Sequence, residues 1–197
     1  MVPWAGRAQT EVQLVCTMFA QPTLIVIASP LWASSPATQA MSAYDWHHLH
    51  DLVGLGTQVG LPTLCLLPPG LGAPPPIDLP PSCLLMSAPL DGSSLSGAGI
   101  AQAVEATAQS AGWLLLPMQG ALPRAATVKA VAEALRSHPM AAPSHGGRRG
   151  HPLGLGAEFY SELIRLKHLR DLDRLLRASA FWDKSGRPTD VAPAVGS

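Results

Sequence analysis

The sequence has few charged side chains, few aromatic rings and few cysteines. The shortage of cysteines excludes two kinds of structural site. Charged residues make up 13% of the 197 residues and aromatic residues 5%, whereas soluble domains carry about 25% charged residues. Cys16, Cys65 and Cys83 are too few and too scattered for a disulfide framework or a zinc site. We therefore expect them to be small core residues of a cytoplasmic protein, in a chain long enough for one domain.

A long apolar run is also missing. Residues 12–33 are largely apolar, but glutamines and prolines interrupt them, and a membrane helix needs about 20 apolar residues in succession. A signal peptide or a weak membrane span is the alternative interpretation of this segment. We favour a buried first strand at residues 23–28 (TLIVIA), because parallel strands covered on both faces are continuously apolar. No membrane association is expected.

Positive charge is nearly absent from the amino-terminal half. Up to residue 120 the chain has one basic residue, Arg7, and six acids, whereas from Arg124 onward it has twelve basic residues and seven acids. A basic carboxyl-terminal half suits an anionic ligand such as a nucleotide phosphate. Aromatic residues do not flank Arg148 and Arg149, so we expect no nucleic-acid partner.

Apolar runs and amphipathic stretches alternate along the chain, which predicts an α/β fold with a parallel sheet. Strands are predicted at residues 23–28, 61–67, 83–87, 113–117 and 139–142, and helices within residues 39–59, 100–110, 124–137, 158–166 and 171–178. The stretches 68–81 and 91–99, rich in Pro or in Gly and Ser, are predicted loops. The expected organisation is a leader at 1–21, a single domain at 22–180 and a loosely ordered tail at 181–197.

Residues 112–155 are the most informative stretch. An apolar run ends at Pro117, an amphipathic helix and a short apolar run follow, and the loop GGRRGHPLGL closes the block. This order, with RGHPLG at residues 149–154, resembles the MobA-like NTP transferases, nucleotidyltransferases of which several act on the molybdenum cofactor. The resemblance implies a three-layer, Rossmann-like fold with a mostly parallel sheet. It also implies transfer of a nucleotidyl group from CTP or GTP to a phosphorylated acceptor such as the molybdenum cofactor, with Mg²⁺ as the metal.

The RGHP loop of that family lies beside the acceptor pocket, and its counterpart supplies the candidate binding residues. Two arginines can face an anion, a glycine allows a tight turn, and a proline fixes that turn. These candidates are Arg148, Arg149, Gly150, His151 and Pro152.

Two other family motifs differ in this chain. The family places a metal-binding Asp after its LLLP-type strand, whereas Met118, Gln119 and Gly120 stand at that point and only Gln119 offers a side-chain oxygen. The family also has a Gly-rich phosphate loop after its first strand, whereas residues 29–45 contain no Gly, Arg or Lys. No catalytic residue is assigned. The alternative to an enzyme is a degenerate relative that keeps the fold as a binding or partner protein.

A cluster of three histidines resembles a metal site. His47, His48 and His50 cluster in the sequence, but a surface helix is favoured over a metal site, because adjacent side chains on a helix point in different directions. Trp113 and Phe159 are predicted core residues.

Overall fold

The computed structural model describes residues 21–28, 43–67, 79–80, 82–87, 90–91, 94–95, 97–118, 121–145 and 148–178. The predicted leader (except Gln21), the segment 29–42 and the tail at 181–197 lie outside the described residues, as do most of the Pro-rich loop, Cys16 and Gln119.

Six strands form one mostly parallel sheet in the order β3-β2-β1-β6-β10-β7, and two short ribbons pair β4 with β5 and β8 with β9. In chain order the strands are β1 (Thr23–Ile27), β2 (Thr63–Leu67), β3 (Cys83–Ser87), β4 (Leu90–Asp91), β5 (Ser94–Leu95), β6 (Gly112–Pro117), β7 (Met140–Ala141), β8 (Ser144–His145), β9 (Arg148–Arg149) and β10 (Leu153–Gly156). The first three strands and β6 are parallel, whereas β10 is antiparallel to both of its neighbours. The predicted α/β class is confirmed.

In the described part of the chain, five α-helices cover the two faces of the sheet. They are α1 (Ala43–Val59), α2 (Gly97–Ala106), α3 (Ala125–Ala134), the single turn α4 (Tyr160–Leu163), which a 3-10 turn (Ala157–Phe159) precedes, and α5 (Leu169–Ala178). None of the helices in the described part of the chain is both long enough and apolar enough to span a membrane.

The continuous apolar runs form strands because both sides of the sheet are covered. Along β1, Leu24 and Val26 pack with α1 and α3, while Ile25 and Ile27 pack with α2, α4 and α5. All of β1 and β6 is buried, and each fully buried aliphatic side chain contributes about 1.5–3 kcal/mol. The result is the predicted three-layer arrangement of helices, sheet and helices.

Two predicted core residues differ in how deeply they are buried. Trp113 is fully buried, and its indole N–H donates a hydrogen bond to Thr107 Oγ1 at 3.0 Å. Phe159 is half-buried and packs against the same core. Of the two described cysteines, Cys65 is buried and Cys83 is half-buried, and both pack in the core with α1 and α3.

The prediction of a loop over the whole GGRRGHPLGL stretch is wrong in its second half, because residues Leu153–Gly156 form the buried strand β10. Glycine alternates with leucine in this strand because α3 packs closely on it. A Cβ atom at Gly154 would lie 2.9 Å from Val131 Cγ1 and 3.2 Å from the Ala141 carbonyl oxygen. The alternating Leu and Gly residues resemble a turn in the sequence, but in the structure they let α3 pack closely on a strand.

Several predicted bounds also need correction. The loop 91–99 contains part of the β4–β5 ribbon, and α2 begins at Gly97 rather than at residue 100. The predicted helix at 158–166 is a 3-10 turn followed by one α-helical turn. Helix α3 ends at Ala134, before the predicted end at residue 137.

Candidate functional site

The carboxyl ends of β1 and β6 lie side by side at one edge of the sheet. Ile27 pairs with Pro117 in the parallel register, and the Met118 N–H donates to the Ile27 carbonyl oxygen at 2.9 Å. The chain leaves β1 toward β2 and β3 on one side and later returns to β6 on the other side. Ligands of open α/β sheets bind at such a switch point, outside the carboxyl ends of the strands.

The RRGHP segment reaches this same edge. Because β10 is antiparallel to β6 and Leu153 pairs with Leu115, the residues before Leu153 extend toward Pro117 and Met118. Strand β7 runs parallel to β6, so the β8–β9 ribbon also projects from the carboxyl edge. The structure therefore brings the candidate residues from Arg148 to Pro152 to the switch point, although the Arg148 side chain is outside the described set.

Gly150 has a different role from the predicted one. Its backbone does not adopt the positive φ that only glycine tolerates well, since among the described glycines only Gly60 and Gly112 do so. Its N–H donates to the Pro143 carbonyl oxygen at 2.8 Å, and an added Cβ would lie 3.3 Å from Pro143 Cγ. Gly150 therefore fits close packing at the base of the ribbon. The His151–Pro152 peptide bond that follows is cis.

Arg149 and His151 remain accessible to solvent, although the surrounding atoms remove part of their hydration. Burial lowers the pKa of the Arg149 guanidinium, and the Asp173 carboxylate opposes that shift. Burial, followed by the charge of Arg149, lowers the pKa of His151. At neutral pH the segment therefore carries a charged guanidinium beside a neutral imidazole.

Asp173 is a charged neighbour of Arg149 that sequence reasoning missed. It is exposed on α5, whose Leu176 packs in the same core as Leu153 at the start of β10. This packing holds α5 close to the β8–β9 ribbon, so the Asp173 carboxylate raises the pKa of Arg149. Two acids, Asp171 and Asp173, lie between Arg170 and Arg174 in the sequence, and this pattern resembles any solvated helix face.

Met118 occupies the position where the family places its metal-binding acid. Its side chain is half-buried and packs in the core with α1 and α3. Its carbonyl oxygen lies 2.8 Å from His48 Nε2. A thioether is a poor ligand for Mg²⁺, which requires hard oxygen donors. The described residues contain no group of three His, Cys, Asp or Glu side chains that could hold a metal ion, and the Met118 side chain itself does not fit the Mg²⁺ that the resemblance implies.

The three clustered histidines lie on α1, as the surface-helix interpretation predicts. His47 and His50 are exposed, and His50 Nδ1 lies 3.8 Å from Asp51 Oδ1. His48 is half-buried and differs from its neighbours through its contact with Met118. This contact could not be predicted, because nothing in the sequence connects positions 48 and 118.

Comparison with known proteins places these features in one family. The model of the MobA-like NTP transferase domain matches residues 83–184, just over half of the chain, whereas no curated protein matches the sequence. Among solved structures, Rv0371c from Mycobacterium tuberculosis H37Rv superposes with a TM-score of 0.65 at 16% identity, covering 81% of this chain and 83% of that one.

Two further structures agree with this fold. Rv0371c in complex with manganese has a TM-score of 0.56 at 15% identity, with 81% of this chain and 83% of that chain covered. An Rv0371c homologue from Mycobacterium sp. strain JC1 has a TM-score of 0.55 at 14% identity, with 84% and 81% covered. The likeness shows that this chain shares the fold of these structures, and the family match shows that it belongs to the MobA-like NTP transferase domain family.

Proposed function

We propose that this chain binds a nucleoside triphosphate, CTP or GTP, at the carboxyl edge between β1 and β6, and that it does not transfer the nucleotidyl group on its own. Family membership supports an NTP as the ligand class. The RRGHP segment faces the phosphates of this ligand or of a phosphorylated acceptor.

The charges at this edge support an anionic ligand. Arg149 supplies a fixed positive charge and donors that match phosphate oxygens. His151 adds a neutral imidazole, which can donate to a phosphate oxygen or accept from an acceptor hydroxyl. Arg148, Gly150 and Pro152 belong to the same proposed site.

The observation that carries the second part of the proposal is the position of Met118. Nucleotidyl transfer needs the triphosphate charge to be neutralised while the acceptor attacks. In this chain the residue at the metal-binding position packs its side chain into the core and has its carbonyl tied to α1. Met118 and Gln119 are therefore a degenerate metal position, and the chain acts as a binding or partner protein.

A second candidate is complete nucleotidyl transfer to a phosphorylated acceptor such as the molybdenum cofactor. The observation that favours it is the manganese complex of Rv0371c, a protein with a similar fold. Because Met118 brings no carboxylate to the metal-binding position, this candidate requires a metal ligand other than the side chain of residue 118.

The experiment that tests the proposal is calorimetric titration of the purified chain with CTP and with GTP, together with an assay for pyrophosphate release. Arg149→Gln is the test variant and Arg136→Gln the control, because Arg136 is exposed and lies between α3 and β7 at the opposite edge of the sheet. A hydrogen bond to a charged group contributes about 1.5–3 kcal/mol. We therefore expect Arg149→Gln to weaken binding by about tenfold or more and Arg136→Gln to leave it unchanged.

The two measurements distinguish a binding protein from an active transferase, and they also show whether the proposed binding site is wrong. Pyrophosphate release by the chain alone would show that it is an active transferase. Equal affinities of the wild type and Arg149→Gln, or no binding of either nucleotide, would contradict the proposed site.

A further inference from the structure

Helix α5 carries three arginines on its solvent side, Arg170, Arg174 and Arg177, and all three are exposed. The opposite side of the helix is apolar and lies in the core, because Leu176 is buried and the other leucines of α5 pack against the same cluster. A ligand that approaches α5 therefore meets its arginines. Guanidinium groups match the oxygens of phosphates and carboxylates, with which they form paired hydrogen bonds.

One flank of α5 is turned toward the RRGHP segment. Asp173 lies on this flank, since its carboxylate acts on the Arg149 guanidinium. At 3.6 residues per turn, Arg177 lies about 40° and Arg170 about 60° around the helix from Asp173. The backbones of these two arginines are about 10.5 Å apart along the axis. Arg170 and Arg177 therefore belong to the flank of α5 that adjoins the proposed site.

The other flank of α5 contains a balanced pair of charges. Arg174 lies about 100° around the helix from Asp173, and its Nη1 donates to Asp171 Oδ1 at 3.4 Å. Asp171 Oδ2 accepts from the backbone N–H groups of Lys167 at 3.2 Å and His168 at 2.9 Å. These contacts hold the Asp171 carboxylate at the start of the helix, about 160° around the axis from Asp173.

The charges near the RRGHP segment are not balanced in this way. Three cations, Arg149, Arg170 and Arg177, surround the carboxylate of Asp173. In the described part of the chain, neither Arg170 nor Arg177 forms an ion pair. Their guanidinium groups are therefore available to an anion beside the one that Arg149 binds.

We propose that Arg170 and Arg177 form a second anion-binding position beside Arg149, so that the ligand facing the RRGHP segment carries two separate anionic groups. This inference rests on the proposed function, because Arg149 belongs to the site proposed there, and it adds the class of the ligand. Two sources have this chemistry: the terminal phosphates of the nucleoside triphosphate, and a second phosphate on the acceptor. In both cases the added group distinguishes the ligand from its monophosphate.

Calorimetric titration of the full chain with two matched pairs of probes measures the contribution of the second group. CTP differs from CMP in its terminal phosphates, and fructose 1,6-bisphosphate differs from fructose 6-phosphate in one phosphate. The ratio of the two Kd values in each pair isolates that difference. In at least one pair we expect the probe with more phosphates to bind about tenfold more tightly, which corresponds to about 1.4 kcal/mol.

Variants of α5 show whether its arginines cause this ratio. Arg170→Gln and Arg177→Gln each remove one guanidinium from the proposed position, whereas the control Arg174→Gln removes the same charge from the other flank. We expect the ratio to fall about threefold in each of the first two, the size expected for an exposed ion pair. It should approach one in the double variant and stay unchanged in Arg174→Gln. All three side chains are exposed, so each variant should fold, which urea unfolding verifies.

The outcomes distinguish the two sources, and they distinguish this inference from the proposed function. A fall in the CTP ratio assigns the second group to the nucleotide, and a fall in the fructose ratio assigns it to the acceptor. Ratios that keep their wild-type values in the double variant, or that fall equally in Arg174→Gln, would overturn the inference. The proposed function would still stand if Arg149→Gln weakened CTP binding. Failure of CTP and GTP to bind the wild type would remove the proposed function, and the inference with it.

Discussion

Replacing Gly154 by alanine tests whether α3 and β10 pack as closely as the structure indicates. The new Cβ would meet Val131 Cγ1 at 2.9 Å, the Ala141 carbonyl oxygen at 3.2 Å and Leu135 Cδ1 at 3.3 Å. The two side chains can shift slightly, but the carbonyl belongs to the neighbouring strand β7 and is held by the sheet.

The expected cost follows from two opposing effects. Overpacking of this kind costs about 1–3 kcal/mol, while the lower entropy of the unfolded chain returns about 0.4–1 kcal/mol. We therefore expect the free energy of unfolding to fall by about 1–2 kcal/mol, or Tm to fall by roughly 2–8 °C for a chain of this size.

Urea unfolding followed by the fluorescence of the buried Trp46 and Trp113 measures this change. Gly54→Ala is the matched control, because Gly54 lies inside α1 and nothing lies within 4 Å of its added Cβ. Alanine there should stabilise the protein by about 0.5–1 kcal/mol. If Gly154→Ala is as stable as the wild type or more stable, then β10 does not pack against α3 as described.

Three further predictions concern buried polar and titratable groups. Thr107→Val leaves the Trp113 indole N–H without its acceptor and should cost about 1–3 kcal/mol in urea unfolding, whereas Thr107→Ser should recover most of that loss. Burial raises the pKa of Cys83 from 9.0 to about 11 and that of Cys65 further. At pH 8, peptide mapping should therefore find iodoacetamide labelling of Cys83 about a hundredfold slower in the folded chain than in urea; equal rates would contradict this burial. Burial is the main cause that lowers the pKa of His151 from 6.5. The imidazole therefore binds a proton more readily in the unfolded chain, and the free energy of unfolding should fall as the pH drops below 6.5. His151→Gln should remove this part of the pH dependence, and an unchanged profile would refute it.

Much of the fold could be predicted because its central strands are continuous apolar runs. Strands such as β1 and β6 are buried on both faces, and few other elements need five or six apolar residues in succession. The helices α1 and α3 were recognisable from their apolar faces. Their residues Val128 and Val131 are buried on α3, as Leu49 and Leu52 are on α1.

The antiparallel strand β10 could not be predicted in the same way. Gly154 and Gly156 give its four residues the appearance of a turn, and only the presence of α3 over the strand explains a glycine at position 154. The residues next to Gly154 in the sequence do not reveal its close contact with Val131, because Val131 is distant in the sequence.

The candidate site was predictable only in part. The RRGHP segment was recognisable as a motif, and the register of β10 with β6 places it at the carboxyl edge. The hydrogen bond of His48 with Met118 and the electrostatic interaction of Asp173 with Arg149 exist only in the folded chain, so local sequence patterns do not reveal them.

The most direct test of the central claim is the magnesium dependence of CTP and GTP binding by the wild type and by Met118→Asp. We predict that the wild type binds one of these nucleotides with the same Kd with and without Mg²⁺. In Met118→Asp, the new carboxylate should introduce magnesium dependence. Wild-type affinity that appears only when Mg²⁺ is added would contradict the claim, because it would mean that the crevice still neutralises the triphosphate through a metal.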